Sequence, residues 1–102
     1  CMAFPAISAL ADGYQVFAVV DASGTYSKMA EEITLARVVQ AGVVPMDTAA
    51  VASELQGTWN REDAGEWAQL YTRIFPEYAL LIESHMKAQE VERAHEVADS
   101  MK

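Results

Sequence analysis

Residues 16–20, Val-Phe-Ala-Val-Val, form an unbroken apolar run rich in β-branched side chains, closed by Asp21 and a polar, Gly-containing loop that reaches Ser27. An alternating pattern would mark a strand with one wet face. A continuous run reads instead as a strand covered on both faces, and so as an internal parallel strand. Downstream, Ser27 is a suitable N-cap for a helix over residues 28–41 that buries Met29, Ile33, Ala36 and Val39 or Gln40. Gly42 closes that helix, and Val43-Val44-Pro45-Met46 is a short second strand. Its proline lacks a ladder donor, which places it at or near a sheet edge. Asp47 caps a third helix over residues 48–56, stopped by Gly57. Upstream, residues 2–12 read as a helix with Pro5 in its first turn, Phe4, Ile7, Leu10 and Ala11 on its apolar face, and Gly13 as its C-cap.

Strand, crossover helix, strand, helix is the order of an open α/β sheet with right-handed parallel crossovers. Two parallel strands do not complete a three-layer α/β/α domain, because their faces need covering and their edges need partners. The expectation is therefore a C-terminal half of such a sheet, over residues 1–58, followed by a helical segment over residues 59–102. In that segment Asn60 caps a helix running from Arg61 to about Arg73, with Ala64, Trp67, Ala68, Tyr71 and Ile74 on one stripe. Phe75-Pro76 breaks it, and Pro76 opens a further helix containing Leu80, Leu81, Ile82 and Met86. Val91, Ala94, Ala98 and Met101 continue as a seam too short and too Ala-rich for a coiled coil.

Composition narrows the function. Fifteen acidic residues against seven basic ones, a formal charge of -8, argue against nucleic-acid binding, which needs a basic face. One cysteine makes no internal disulfide, and no apolar run approaches a membrane span. A cytoplasmic protein is the default expectation. Asp21-Ala22-Ser23-Gly24 has too few glycines for a phosphate loop, and no cofactor motif appears. His85 and His95 lie ten residues apart on one predicted helix, unlike the i, i+4 pair of a helical metal site. Ser8, Ser23 and Ser27 lack a Gly-x-Ser-x-Gly context, so a serine triad is not indicated. Asp21 ends the buried strand at the edge where open α/β sheets bind ligands, and it also suits an Asx turn with Ser23 or Gly24. Glu31-Glu32 and Glu90-Val91-Glu92 read as solvated helix faces.

Cys1 is the candidate catalytic residue. A thiol at the start of a helix faces unpaired backbone N–H groups and the positive end of the helix dipole, both of which favour the nucleophilic thiolate. A lone cysteine is equally a small hydrophobe for a core.

The ordered series Cys1-Met2-Ala3-Phe4-Pro5-Ala6, Gly13, Tyr14 to Val20, Asp21-Ala22, Arg37-Val38-Val39-Gln40-Ala41-Gly42, Ser53-Glu54-Leu55, Trp59 and Phe75-Pro76-Glu77-Tyr78 resembles the second half of isochorismatase-like cysteine hydrolases, closest to their YcaC-like branch. The resemblance extends to about Ser84. It implies a Rossmann-like open parallel sheet and a cysteine nucleophile at Cys1. It also implies an aspartate that shuttles the proton and a lysine that balances charge, both supplied by an N-terminal half of the same protein. The substrate class it implies is a small molecule with an amide, C–N or ester bond, attacked without a cofactor. The family's C-terminal helices help build oligomers, which makes Trp59, Trp67, Tyr71 and Phe75 candidates for a homo-oligomer contact, against the alternative of ordinary core. The unfinished sheet and the resemblance together suggest a C-terminal portion of a longer protein, or a separately encoded half, with little activity by itself.

Two other classes stand beside this one. An N-terminal-nucleophile hydrolase is disfavoured, because those enzymes hold the nucleophile on a strand and this cysteine leads a helix. The other is a non-catalytic α/β oligomerisation module that kept the fold and lost the chemistry.

Overall fold

The computed structural model describes residues 1–101, which form two compact units dividing after Thr58. The first contains helix α1 (Ala3–Ala11), strand β1 (Phe17–Val19), a 3₁₀ turn (Val20–Ala22), α2 (Lys28–Ala41), β2 (Val44–Met46) and α3 (Thr48–Gln56). The second contains α4 (Ala64–Ile74) and α5 (Glu77–Ser100). Among the described residues no helix is long and apolar enough to cross a membrane.

β1 and β2 pair in parallel, Phe17 opposite Val44, Ala18 opposite Pro45 and Val19 opposite Met46. The Val44 N–H donates to the Val16 carbonyl at 3.0 Å. Alternate residues of a parallel strand address the same neighbour, so the donor missing at Pro45 faces away from β1 and costs this ladder nothing. The chain is thus mostly helical with a small parallel sheet, as expected of part of an α/β fold.

The caps of α2 and the N-cap of α3 form where local chemistry predicts them. The Ser27 hydroxyl accepts from the Ala30 N–H at 3.1 Å, and the Asp47 carboxylate accepts from the Ala50 N–H at 2.6 Å. Gly42, with φ of 110°, ends α2 in the left-handed region that a β-carbon disfavours.

The buried faces are not those the periodicity predicts. The first unit's core consists of Ala3, Ala6, Ala18, Val38 and Val43, with Met2, Leu10, Val16 and Leu35 packed against it. On α1 the stripe is turned by about one residue, burying Ala3 and Ala6 and leaving Phe4 77% exposed. On α2 the buried residues are Ala30 and Val38, so the predicted stripe of Met29, Ile33 and Val39 is exposed instead. Within this unit one face of β1 is covered: Ala18 is 2% exposed, and Phe17, on the opposite face, is 50% exposed. The buried positions of α1, β1 and α2 include the small side chains of Ala3, Ala6, Ala18 and Ala30, while the larger residues on the neighbouring faces stay exposed in this unit.

In the second unit the Asn60 cap does not form. Residues 59–63 are irregular and α4 starts at Ala64, with Asp63 at its N-cap position. The Asp63 carboxylate is held by Arg61 through Nε at 2.8 Å and a second guanidinium nitrogen at 3.2 Å, and the same guanidinium lies 5.3 Å from the Trp67 ring centroid. The predicted stripe holds from there on: Tyr71 is buried, and Ala64, Trp67, Ala68 and Ile74 are half-buried. Tyr71 packs with Trp59, Phe75 and Tyr78 at centroid distances of 5.9, 6.3 and 5.8 Å. Tyr71 is thereby intramolecular core rather than a free interface residue. α5 runs unbroken for 24 residues and buries none of them.

Candidate active site

Pro5 decides where Cys1 sits. In an α-helix the first residue's carbonyl would accept from the N–H four positions on, and at position 5 there is no N–H to donate. The ladder therefore begins one residue later, with Ala6 N–H donating to the Met2 carbonyl at 3.1 Å. Met2 becomes the N-cap residue, and Cys1 lies just ahead of the helix rather than on its first turn. The N-cap residue makes no side-chain capping hydrogen bond to α1.

The thiol is exposed. It borders a hollow of about 60 Å³ whose walls are Cys1 and Met2, Val20 and Ser23 to Thr25 after β1, and Glu31, Thr34 and Leu35 of α2. The hollow therefore opens at the C-terminal end of β1, the edge at which open α/β sheets hold ligands. A local contact secures this corner: the Ser23 hydroxyl lies 3.2 Å from the Val19 carbonyl oxygen and 3.3 Å from the Met2 sulfur. It ties the residue next to Cys1 to the end of the strand.

Asp21, the other residue singled out at this edge, is engaged elsewhere. One of its carboxylate oxygens accepts from both the backbone N–H and the hydroxyl of Thr48, each at 2.8 Å. It thus fastens the 3₁₀ turn to the N-terminus of α3, where a negative charge is favoured, in place of the Asx turn expected within its own loop. Asp21 is not among the residues lining the hollow.

The aspartate and lysine that the resemblance implies are not among the described residues bordering the thiol. Glu31 of α2 does border the hollow. Sequence reasoning took it for a solvated helix face, although the signal was present: α2 starts at the loop leaving β1, so its first turns must return to the same sheet edge as Cys1. His85 and His95 belong to α5 of the second unit, where His95 Nε2 lies 3.4 Å from an Asp99 carboxylate oxygen. Among the described residues no group of three or more His, Cys, Asp or Glu side chains could hold a metal ion.

No family model matches the chain. It is, however, 40% identical over 85 residues to a protein of Escherichia coli K12 named probable hydrolase YcaC, a match covering 83% of this chain and 40% of that protein. The structure superposes on YcaC from Pseudomonas aeruginosa, solved with hexane-2,5-diol and covalent acrylamide, with a TM-score of 0.76 at 38% identity over 83% of this chain and 42% of that one. It also superposes on the E. coli YcaC gene product, described as an octameric hydrolase of unknown specificity, with a TM-score of 0.75 at 38% identity over 84% of this chain and 42% of that one. The chain thus spans about two fifths of the length of the relatives it matches.

Proposed function

We propose that this chain, being YcaC-like over 83% of its length, carries the nucleophile of a cysteine hydrolase and that Cys1 is that nucleophile. The observation that carries the reading is the placement of an exposed thiol at the uncapped start of α1, on a hollow at the C-terminal end of a parallel strand. Covalent acrylamide on the P. aeruginosa relative supports it, because acrylamide is an electrophile that thiolates attack, and Cys1 is the one thiol of this chain.

The reaction follows from that group. The thiolate attacks the carbonyl carbon of a small amide or ester, the carbonyl oxygen takes the negative charge, and backbone N–H groups stabilise it. Collapse expels the amine or alcohol, which needs a proton from a general acid, and water then hydrolyses the thioester. An aspartate shuttling that proton and a lysine balancing the charge would come from the part of the protein corresponding to the remainder of its relatives. Phe17, Val44, Met29 and Ile33, all exposed here, offer apolar surface for that part to cover. Association into a homo-oligomer belongs to the same proposal, supported by the octameric relative. So does a cytoplasmic setting, in keeping with a lone free thiol.

Acrylamide labelling followed by peptide mapping tests the reading. Cys1 should be modified faster than a free cysteine, and Cys1→Ser should remove both the adduct and hydrolysis of small amides by the complete protein. Labelling no faster than free cysteine would sink it.

A further inference from the structure

We propose that Ser23 is a positioning residue for the Cys1 thiol, acting through the Met2 side chain rather than on a substrate. The inference rests on the reading of Cys1 as the nucleophile and names what holds that nucleophile in place.

The α1 ladder does not hold Cys1, because the residue four positions on is Pro5, which has no N–H to donate to the Cys1 carbonyl. The first residue fixed there is Met2, whose carbonyl accepts from the Ala6 N–H at 3.1 Å and whose side chain packs against the core of the first unit. Consecutive Cα atoms lie about 3.8 Å apart across a trans peptide, so a shift of Met2 is carried to Cys1. Ser23 meets Met2 from the loop after β1, 21 positions along the chain. Its own place is set independently of that contact: its N–H donates to the Val20 carbonyl at 3.2 Å, and its hydroxyl lies 3.2 Å from the Val19 carbonyl oxygen. The Met2 sulfur stands 3.3 Å from the same hydroxyl. One hydroxyl proton serves both acceptors, the carbonyl being the stronger and the thioether the weaker. The end of β1 thus orients the hydroxyl on which the sulfur rests, and so fixes the residue adjoining the thiol. Ser23, Met2 and Cys1 all border the one hollow.

The experiment follows alkylation of Cys1 by acrylamide in the complete protein: the thiolate sulfur bonds to the terminal vinyl carbon, and the neighbouring carbon takes a proton from water. A thiol that drifts from the start of α1 loses the N–H groups and the dipole that favour its thiolate. Ser23→Ala should therefore slow labelling about fivefold, the fold-change that one ordinary hydrogen bond supports. Ser23→Thr keeps the hydroxyl on an extended backbone, φ -125° and ψ 129°, which a β-branched residue adopts readily, and should restore the rate. Met2→Leu conserves volume in the core and removes the sulfur, so it should slow labelling as well. The double variant of Ser23→Ala with Met2→Leu should be no slower than the slower single one, because both act through the same contact.

An unchanged or raised rate in Ser23→Ala overturns the proposal, as does a Ser23→Thr rate no better than that of Ser23→Ala, or single-variant losses that add in the double. The outcome is separable from that of the nucleophile reading, which is decided by wild-type labelling against free cysteine. If wild-type Cys1 is fast and Ser23→Ala is equally fast, the nucleophile stands and the positioning role falls. If wild-type Cys1 is no faster than free cysteine while Ser23→Ala slows it and Ser23→Thr restores it, the reverse holds.

Discussion

The first unit closes around alanines and valines, Ala3, Ala6, Ala18, Val38 and Val43, whereas the second closes around one aromatic ring, Tyr71, packed with Trp59, Phe75 and Tyr78. Small side chains let helix and strand backbones approach closely, and interdigitated small residues have little room to shift. That packing sets where the start of α1, the end of β1 and the first turns of α2 come together, and so where Cys1 lies. Rings give more buried area per residue through tilted and edge contacts, and a single side chain then carries much of the cohesion. Close positioning in the one unit and concentrated burial in the other are two different uses of apolar surface.

The largest expected effect follows from that concentration. Tyr71→Ala removes the ring that three others contact and should destabilise the protein by about 3 kcal/mol, with faster amide hydrogen exchange in α4 and α5 as the direct readout. A loss under about 1 kcal/mol would show that the rings do not depend on their centre. Val38 is the completely buried member of the small-residue core. Val38→Ala deletes two methyl groups and should cost about 2 kcal/mol by denaturant titration. Its more telling consequence is a change in the labelling rate of Cys1, since the same core seats α1. An unaltered rate would separate core packing from thiol placement.

A smaller effect is expected at the Asp21–Thr48 tie. Asp21→Ala leaves the Thr48 N–H and hydroxyl without their acceptor and should cost about 1 kcal/mol, visible as a lower thermal midpoint and faster exchange at the start of α3. Thr48→Val, which keeps the backbone N–H donor, should lose less. The smallest effect belongs to the second unit. The Arg61 guanidinium, through its hydrogen bonds and charge, holds the Asp63 carboxyl below its ordinary value, with the Trp67 hydrogen bond adding to the shift. Because this folded-state value is depressed, any stability it contributes is present above the unfolded value and is lost as pH falls through the folded one. A carbon-13 titration of Asp63 should show the depression, and Arg61→Gln should return it towards an ordinary carboxylate. No difference between the two would dissolve the pair.

How much of this was legible in the chain follows from the range of each interaction. Ser27 and Asp47 bond three residues onward, and the conformation at Gly42 is a property of one residue, so these boundaries are readable from local chemistry. The start of α4 was misread because a guanidinium two residues away engaged Asp63 and left Asn60 outside the helix. The buried stripes of α1 and α2 were misread for a different reason. Periodicity locates large apolar residues, but the observed contacts were made by small ones. At the candidate site, Cys1 was legible as a thiol at the start of a helix, and the structure moves it just ahead of the first turn. That it shares a hollow with Glu31 was not, because thirty positions separate them and α2 and the β1 loop bring them to one edge.

By itself, then, the sequence determined the order of helices and strands, the caps at Ser27, Asp47 and Gly42, the parallel crossover and the single thiol, because each depends on residue identity over a few neighbouring positions. The tertiary structure alone decided that Ala18 and Val38 form the core of the first unit while Phe17 and Ile33 stay exposed in it, that Asp21 serves Thr48, and that Glu31 borders the same hollow as Cys1. Those outcomes depend on how closely distant backbones can approach, a quantity set by packing across the whole unit rather than by any local run of residues.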